Sequence, residues 1–396
     1  MINLKHVREF LPYYLSFIFR YGFSIVSVLS VLYFNIKGFS YPIIALYFSI
    51  TFISALIFEI PTSIFADKFG RKKSVMITFI AEIIILASYP FISSNFALLT
   101  LGFLHGLFGT FALGSETSLM VDNLKKKEKV QEYYITCSTL FKVTGVLSGL
   151  TGYLFFLFFE IKQPVGRFVA IDLLWFIYAF SMLITTLIFW LKVDEKPFLK
   201  STQNTFAFTW SSLKHIWINH NLRLIFFWNL LFMIVFYTWF FLYLPHLDSY
   251  GIKFNQISLA YVFLSLAGFP TAKLGQKLYR WIKHEKPFLQ WSYSFYFVWC
   301  LLVLIPGTVF AYIYWFVRWN SVGFFKPIEG AYTEEYIPTE KRSTINSMQT
   351  MVGHLGFAIG PLLGGYLLTV TTPTYAIFFS SLLIIPIIVI IGFLRK

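Results

Sequence analysis

The chain has 396 residues, of which 57% are hydrophobic, 21% aromatic and only 13% charged, with a formal net charge of +14. A soluble domain carries about 25% charged residues, and a mean hydropathy of +0.69 implies more apolar surface than a folded chain of this size can hide from water. Soluble enzymes, nucleic-acid binders and disordered chains are excluded, and lipid is the solvent implied.

The basic excess then marks the cytoplasmic loops of a membrane protein rather than a nucleic-acid partner. Cys137 and Cys300 both fall inside apolar runs, which argues against a disulfide framework and a cysteine-ligated metal; no metal and no cofactor is expected. Lys5, His6 and Arg8 precede an apolar stretch that reaches about Ile36. A signal-peptide core is roughly 7–15 residues and ends in small residues. This stretch is longer and has no such site, so it reads as a first spanning helix.

A helix needs about 20 mostly apolar residues to cross a bilayer. In chain order such runs are predicted at 10–36, 41–66, 74–92, 95–121, 131–158, 166–191, 221–245, 254–276, 287–305, 308–333, 343–370 and 373–394. The expected fold class is an all-α integral membrane protein of twelve spans. Residues 1–191 form one six-helix bundle, 192–220 a cytoplasmic linker, and 221–396 a second bundle. The runs are continuous rather than alternating, which excludes a β-barrel. Of the 32 Lys and Arg, 24 fall in the loops of one side and four (Lys37, Lys162, Arg167 and Lys253) in those of the other. The positive-inside rule places both termini in the cytoplasm, at the cell membrane.

The loop after the second run carries Ser63, Asp67, Lys68, Gly70, Arg71 and Lys72 in order. Gly70 suits a sharp turn between helices, and Asp67 is an acid among bases, able to accept charge-assisted bonds. This stretch resembles the signature loop of the major facilitator superfamily of secondary transporters, G-x-x-x-D-[RK]-x-G-[RK]-[RK], with Ser63 in place of the leading glycine. Length, span count and predicted topology extend the resemblance over the whole chain. The resemblance implies that Asp67, Lys68, Gly70 and Arg71 belong to a cytoplasmic gate, with Asp122 as the acid at the end of the fourth span. An eroded copy, 270–277, follows the eighth span with Gln276 in place of the acid, as expected of two repeats about an axis normal to the membrane. Gly145 and Gly149 on the fifth span parallel Gly356 and Gly360 on the eleventh. Small residues at this spacing let helices approach closely, so these glycines, with Pro361, Gly364 and Gly365, are read as a packing device.

An ionisable group inside a span costs roughly 2.5–3.5 kcal/mol on insertion scales and is a functional candidate by default. In the resembled fold, spans 1, 4, 7 and 10 line a central cavity. That implies substrate contacts from Arg20, His105, Asn229, Trp239, Arg318, Asn320 and Lys326, with Lys142 and His354 within reach. The set is mainly cationic, which suits an anionic or carboxylate-bearing molecule. Glu59, Glu116 and Glu329 are the candidates for proton coupling. Internal pairing is the alternative: Arg20 with Glu59 or Glu116, and Lys326 with Glu329. Glu82 and Asp172 fall on outer spans and read as structural.

The function expected is export of a small organic molecule by alternating access, driven by protons and carried out by a monomer in the lipid bilayer, with uptake symport or uniport as the alternative. A membrane-embedded transferase would need acids or histidines clustered in a sizeable loop, and no loop here is long enough. ATP-driven transport is disfavoured, since no G-x-x-x-x-G-K-[ST] loop exists. The topology is testable: single cysteines at Lys72 and Lys162, in a background lacking Cys137 and Cys300, are expected to react with impermeant thiol reagents from opposite sides of the membrane. Labelling from one side would refute the span count.

Overall fold

The computed structural model describes the backbone of residues 4–123, 130–162, 167–195, 205–338 and 342–394. The basic run Lys125–Lys127 with Lys129, and the linker stretch 196–204, lie outside the described residues. Within them the chain is helical, with no β-strand. The helices in order are α1 (Leu4–Gly22), α2 (Ile25–Val28), α3 (Ser30–Ile36), α4 (Tyr41–Phe69), α5 (Arg71–Ser88), α6 (Asn95–Gly109), α7 (Ser115–Asn123), α8 (Val130–Lys162) and α9 (Arg167–Lys192). They continue as α10 (Thr205–Ile218), α11 (His220–Asp248), α12 (Phe254–Ile282), α13 (Glu285–Leu301), α14 (Thr308–Glu334), α15 (Arg342–Val370), α16 (Pro373–Ser381) and α17 (Ile384–Gly392).

Among the described residues, eight helical segments are long and apolar enough to span a bilayer: Tyr41–Phe69, Arg71–Phe91, Thr139–Phe159, Ala170–Lys192, His220–Asp248, Glu285–Leu304, Met348–Val370 and Pro373–Gly392. A ninth would join Phe254–Gly268 to Lys273–Ile282 across a bend of 46°, at the break that contains Pro270. The predicted first, fourth and tenth runs do not meet the criterion, each for a physical reason. The first is broken twice, before Ile25 and before Ser30, where the Ser24 and Ser30 hydroxyls donate to the carbonyls of Tyr21 and Ser27, each at 2.8 Å. The fourth stops at Gly109 and resumes at Ser115, after Gly114 at φ +73°. The tenth, α14, is continuous but carries Arg318, Lys326 and Glu329. The predicted linker also contains a helix, α10, which the sequence reading had not placed.

The outward faces are apolar: Ile57, Ile64, Phe96, Leu154, Phe180 and Val309 are all more than half exposed. Side chains this hydrophobic on every face are expected against lipid, not water.

By contacts the chain forms two compact units: 1–39 with 53–201 and 253–266, and 40–52 with 202–252 and 267–396. In the first, α9 packs on α1 and α5 around an aromatic cluster in which Trp175 lies 4.5 Å from Tyr89 and 5.7 Å from Tyr33, between ring centroids. Lys37 closes one end by donating to the carbonyls of Tyr89 at 3.1 Å and Pro90 at 2.5 Å. In the second, α11 packs against α15, α16 and α17, with Trp228, Phe232 and Trp239 fully buried along it.

The glycine pairs lie where helices touch. A side chain at Gly360 would place its Cβ 2.7 Å from the Ile234 carbonyl and 2.8 Å from the Thr238 amide, and one at Gly149 would come within 2.8 Å of the Ser258 carbonyl. The Thr238 hydroxyl donates to the Gly360 carbonyl at 2.9 Å. These obstacles are backbone and cannot rotate away, so Gly360→Leu and Gly149→Leu are each expected to destabilise by about 1–3 kcal/mol. Thermal unfolding of the purified variants in detergent measures this; an unchanged melting temperature would show that the contacts are not close-packed.

Candidate functional site

The signature loop is a two-helix turn. α4 ends at Phe69, and α5 begins at Arg71. Gly70 between them sits at φ +111°, a region that a side-chain-bearing residue enters only under strain. The same glycine leaves room for a carboxylate the sequence reading did not select. Glu195 accepts the Arg71 amide at 2.5 Å and the Lys72 amide at 3.4 Å, and its Oε2 would lie 2.7 Å from a Cβ at Gly70. An acid at the orphan amides of a helix N-terminus satisfies donors and matches the helix dipole. Two further bonds tie the same segments: Lys72 Nζ donates to the Trp190 carbonyl at 2.9 Å, and Asn123 Nδ2 to the Asp194 carbonyl at 2.6 Å.

Asp67 is more than half exposed, with Arg71 NH2 4.0 Å from its Oδ1; an exposed pair of this kind contributes 0–1 kcal/mol. Lys68 Nζ lies 5.2 Å from the Phe69 ring centre. The Asp122 side chain lies outside the described residues.

In the first unit Arg20 is clamped by two acids. Its NH1 donates to Glu116 Oε2 at 2.9 Å and its NH2 to Glu82 Oε1 at 3.2 Å. The guanidinium also lies over Phe79 and Tyr21, at 5.1 and 5.3 Å from the ring centres. Glu82 thus joins Arg20 directly, although an outer-span position had suggested a passive role. His105 Nδ1 is 3.2 Å from the Tyr89 hydroxyl. Tyr33 donates a short hydrogen bond to Asp172. Glu59 and Lys142 are half-buried on α4 and α8.

In the second unit Lys326 pairs with Glu329 at 2.6 Å, one helical turn on. Glu329 Oε2 accepts from the Tyr293 hydroxyl at 2.6 Å, and Lys326 also reaches Asn229 Oδ1 at 3.5 Å and lies 4.2 Å from the Phe232 ring centre. Asn320 Nδ2 donates to the Phe316 carbonyl at 2.8 Å, and the residue lines a largely apolar cavity of about 290 Å³ with Trp291 and Phe324. His354 on α15 is half-buried, its ring 6.3 Å from that of Phe52.

Arg318 differs from both other cations. It is fully buried, and none of its guanidinium nitrogens makes a hydrogen bond to the described residues. Three aromatic faces surround it instead: Trp239 at 4.2 Å, Trp315 at 4.9 Å and Phe236 at 5.5 Å. Trp239 is held by its indole donating to Ser380 Oγ at 2.8 Å, and Trp315 by donating to His246 Nδ1 at 3.0 Å. The buried hydroxyls of Tyr296 and Tyr314 and the Cys300 thiol lie close to the same guanidinium. Sequence spacing identified Trp239 and Arg318 separately; the box they form depends on which faces of α11 and α14 meet.

Apolar helices bearing buried ion pairs and a basic two-helix turn define a polytopic membrane transporter. Residues 13–324 match the Major Facilitator Superfamily, and the chain belongs to that family. A 71-residue stretch is 37% identical to an uncharacterized MFS-type transporter, YxaM, of Bacillus subtilis (strain 168); the match spans 18% of this chain and 18% of that relative. Among solved structures, a variant of the nucleoside transporter NupG superposes with a TM-score of 0.82 at 14% identity, covering 98% of this chain and 100% of that one. A POT family transporter in complex with 5-aminolevulinic acid gives 0.73 at 12%, covering 97% and 95%. A bacterial homolog of the human lysosomal transporter Spinster gives 0.69 at 13%, covering 97% and 94%. These likenesses establish the fold.

Glu195→Ala is expected to lower the stability of the purified protein by about 0.5–2 kcal/mol, the usual cost of a lost helix cap, with Glu195→Gln intermediate. Denaturation in detergent checks both, and an alanine variant as stable as the parent would remove the capping role.

Proposed function

We propose that the chain is a secondary active transporter of a small organic anion, working as a monomer by alternating access and exporting its substrate against a proton gradient. In this reading it crosses the cell membrane twelve times with both termini in the cytoplasm. The two six-helix halves, 1–191 and 221–396, open the site first to one side and then to the other. The turn at Asp67, Lys68, Gly70 and Arg71, with Asp122, serves as the cytoplasmic gate, and Glu59, Glu116 and Glu329 are the candidate proton carriers.

The observation that carries the anion reading is Arg318. Arg20 and Lys326 are already neutralised by protein carboxylates, whereas Arg318 is buried with no carboxylate against it among the described residues, facing three aromatic rings with Tyr296, Tyr314 and Cys300 close by. A guanidinium withdrawn from water without a counter-charge is costly, and cation–π contacts of about 2 kcal/mol when desolvated offset only part of that cost. A carboxylate or phosphate on the substrate supplies the missing charge, and the guanidinium fork suits it. Trp239 and Asn229 then offer an apolar face and a neutral hydrogen bond to the rest of the molecule. His105, Lys142, Asn320, Lys326 and His354 complete the proposed contacts, and Arg20 contributes through its acid partners. A neutral, nucleoside-like solute is the second reading, favoured by the likeness in fold to the nucleoside transporter NupG.

The test is flux into and out of proteoliposomes, with and without an imposed pH gradient, against organic anions, organic cations, sugars and nucleosides. A carboxylate-bearing solute is expected to exchange, faster with protons on the opposite side. Arg318→Gln is expected to raise its half-saturation concentration at least tenfold, about 1.4 kcal/mol of binding. Preference for a cation, or unchanged affinity in the variant, refutes the anion reading; co-directional movement with protons turns export into uptake.

A further inference from the structure

The turn from α12 to α13 concentrates positive charge that no described residue neutralises. Lys273, Lys277 and Arg280 stand at i, i+4 and i+7 on α12, along one face of the helix. Lys283 follows in the turn at φ +61°. Helix ends usually give that conformation to glycine, so a cation stands there at a conformational cost. These side chains are exposed, and none makes an ion pair or a side-chain hydrogen bond with the described residues. Like charges four residues apart on a helix repel. The acids close by are turned to Tyr279: Glu285 accepts its hydroxyl, and Glu335 faces the same residue. Lys286 is tied to backbone, donating to the Gly392 and Leu394 carbonyls at 2.7 and 2.8 Å.

The apolar cavity of about 290 Å³ lies beside this turn, between α12, α13 and α14. Trp291, Phe295 and Phe316 line it and are exposed, so it opens on the outer, apolar surface. An aromatic wall joins the turn to the cavity: Tyr279 lies 5.7 Å from Phe288, and Phe288 6.1 Å from the cavity residue Phe324, between ring centroids. Among the polar groups of the lining, Thr271, Asn320 and Ser321 donate to backbone carbonyls of their own helices. Ser292 is only 3% exposed, and its hydroxyl has no partner among the described residues. A buried donor left bare is costly, and within lipid its acceptor must come from protein or from a ligand. Six residues lead from Lys286 to Ser292 along α13, a rise of about 9 Å. The interfacial layer of one leaflet is about 5–8 Å thick. With the cations among lipid headgroups, Ser292 therefore lies where glycerol esters meet hydrocarbon. Trp281, 86% exposed at the end of α12, suits the same interface.

We propose that this cavity holds one acyl chain of an anionic phospholipid, whose phosphate lies among Lys277, Arg280 and Lys283 while an ester carbonyl accepts the Ser292 hydroxyl. The positive-inside rule alone accounts for a basic turn. It does not call for an open apolar cavity beside that turn, or for a bare hydroxyl inside it. A free phosphate would meet the cations and leave the cavity unfilled; an uncharged chain would fill the cavity and leave the cations repelling one another. A ligand that is anionic at one end and apolar along its length answers both. The proposal rests on the membrane reading of the chain, and on the transport reading only for the leaflet concerned: a cytoplasmic turn meets the leaflet in which anionic lipid collects.

The experiment is native mass spectrometry of the full chain in mild detergent, titrated with phosphatidylglycerol or with phosphatidylcholine of the same acyl chains. The first phosphatidylglycerol is expected to bind about tenfold more tightly than phosphatidylcholine. The combined variant Lys277→Gln, Arg280→Gln and Lys283→Gln, all at exposed positions, is expected to lose that preference. Ser321→Phe, which fills the cavity, is expected to weaken the binding of both lipids. Glycerol phosphate, a headgroup without chains, is expected not to compete. Equal affinity for the two lipids, or an unchanged preference in the combined variant, overturns the proposal. Full affinity in Ser321→Phe reduces the site to diffuse surface attraction and overturns it as well, and competition by glycerol phosphate does so by making it a free-phosphate site. Should Ser321→Phe fail to fold, that competition decides the part played by the cavity. Detergent gives lipid access to both ends of the protein and no flux is read, so failure here leaves the topology and the transport reading standing.

Discussion

Lipid offers no water to a charge or to a broken hydrogen bond, and the arrangement of this protein follows from that constraint. Every ionised group placed in an apolar helix needs a partner from another element or a reason to lack one. Arg20 finds Glu82 and Glu116 on α5 and α7, so a single side chain pins three helices. Lys326 finds Glu329 one turn away, and Tyr293 on α13 donates to the second oxygen of that acid. The polar chemistry is thus also part of the packing: removing one member would leave its partner charged and buried, which costs more than the pair contributes.

The same constraint explains which helices are irregular. Continuous apolar helices such as α4, α9 and α11 satisfy their own backbone groups and need little else. The interrupted stretches, α1 to α3 and α6 to α7, re-satisfy freed carbonyls locally, with Ser24, Ser30 and Thr110 donating to the carbonyls of Tyr21, Ser27 and Leu107. Arg20 and Glu116 lie on the broken stretches and Arg318, Lys326 and Glu329 on the polar α14, while Glu59, Glu82, Lys142 and Asp172 lie on continuous spans. Irregular, charged segments are the ones with alternatives to a single helical packing, and in the proposed transport cycle they are the ones expected to respond to a bound ion or substrate.

Much of this was legible in the sequence because apolar length is a strong signal. The predicted runs at 166–191 and 221–245 correspond to Arg167–Lys192 and His220–Asp248, and the turn at Gly70 follows from its motif. Partnerships were less legible. Spacing places Glu116 near Arg20 as one of two options, but it cannot say that the α5 face bearing Glu82 turns toward α1, because that depends on helix rotation rather than composition. Glu195 carried only a weak signal, an acid beside Asp194 at the end of a span, and its role emerges when α9 ends beside the N-terminus of α5. The interruption at Ser24 was invisible because serine is tolerated inside apolar helices, as Ser49, Ser181 and Thr238 with the same kind of bond show. The α10 helix was not legible because its 14 residues fall short of the roughly 20 that mark a spanning run.

The two charged clusters are unbalanced in opposite senses, and that difference gives each a distinct capacity. At Arg20 two carboxylates face one guanidinium, so the cation is fully held by the protein. At Arg318 no acid stands among the described residues, and the faces of Trp239, Trp315 and Phe236 stabilise the positive charge. A single balanced cluster would be an ion pair and nothing more. In the proposed reading the first cluster holds helices together and the second is left to take the anion. Recognition in that reading lies in the cation to which the described residues bring no carboxylate, rather than in the strength of any one bond.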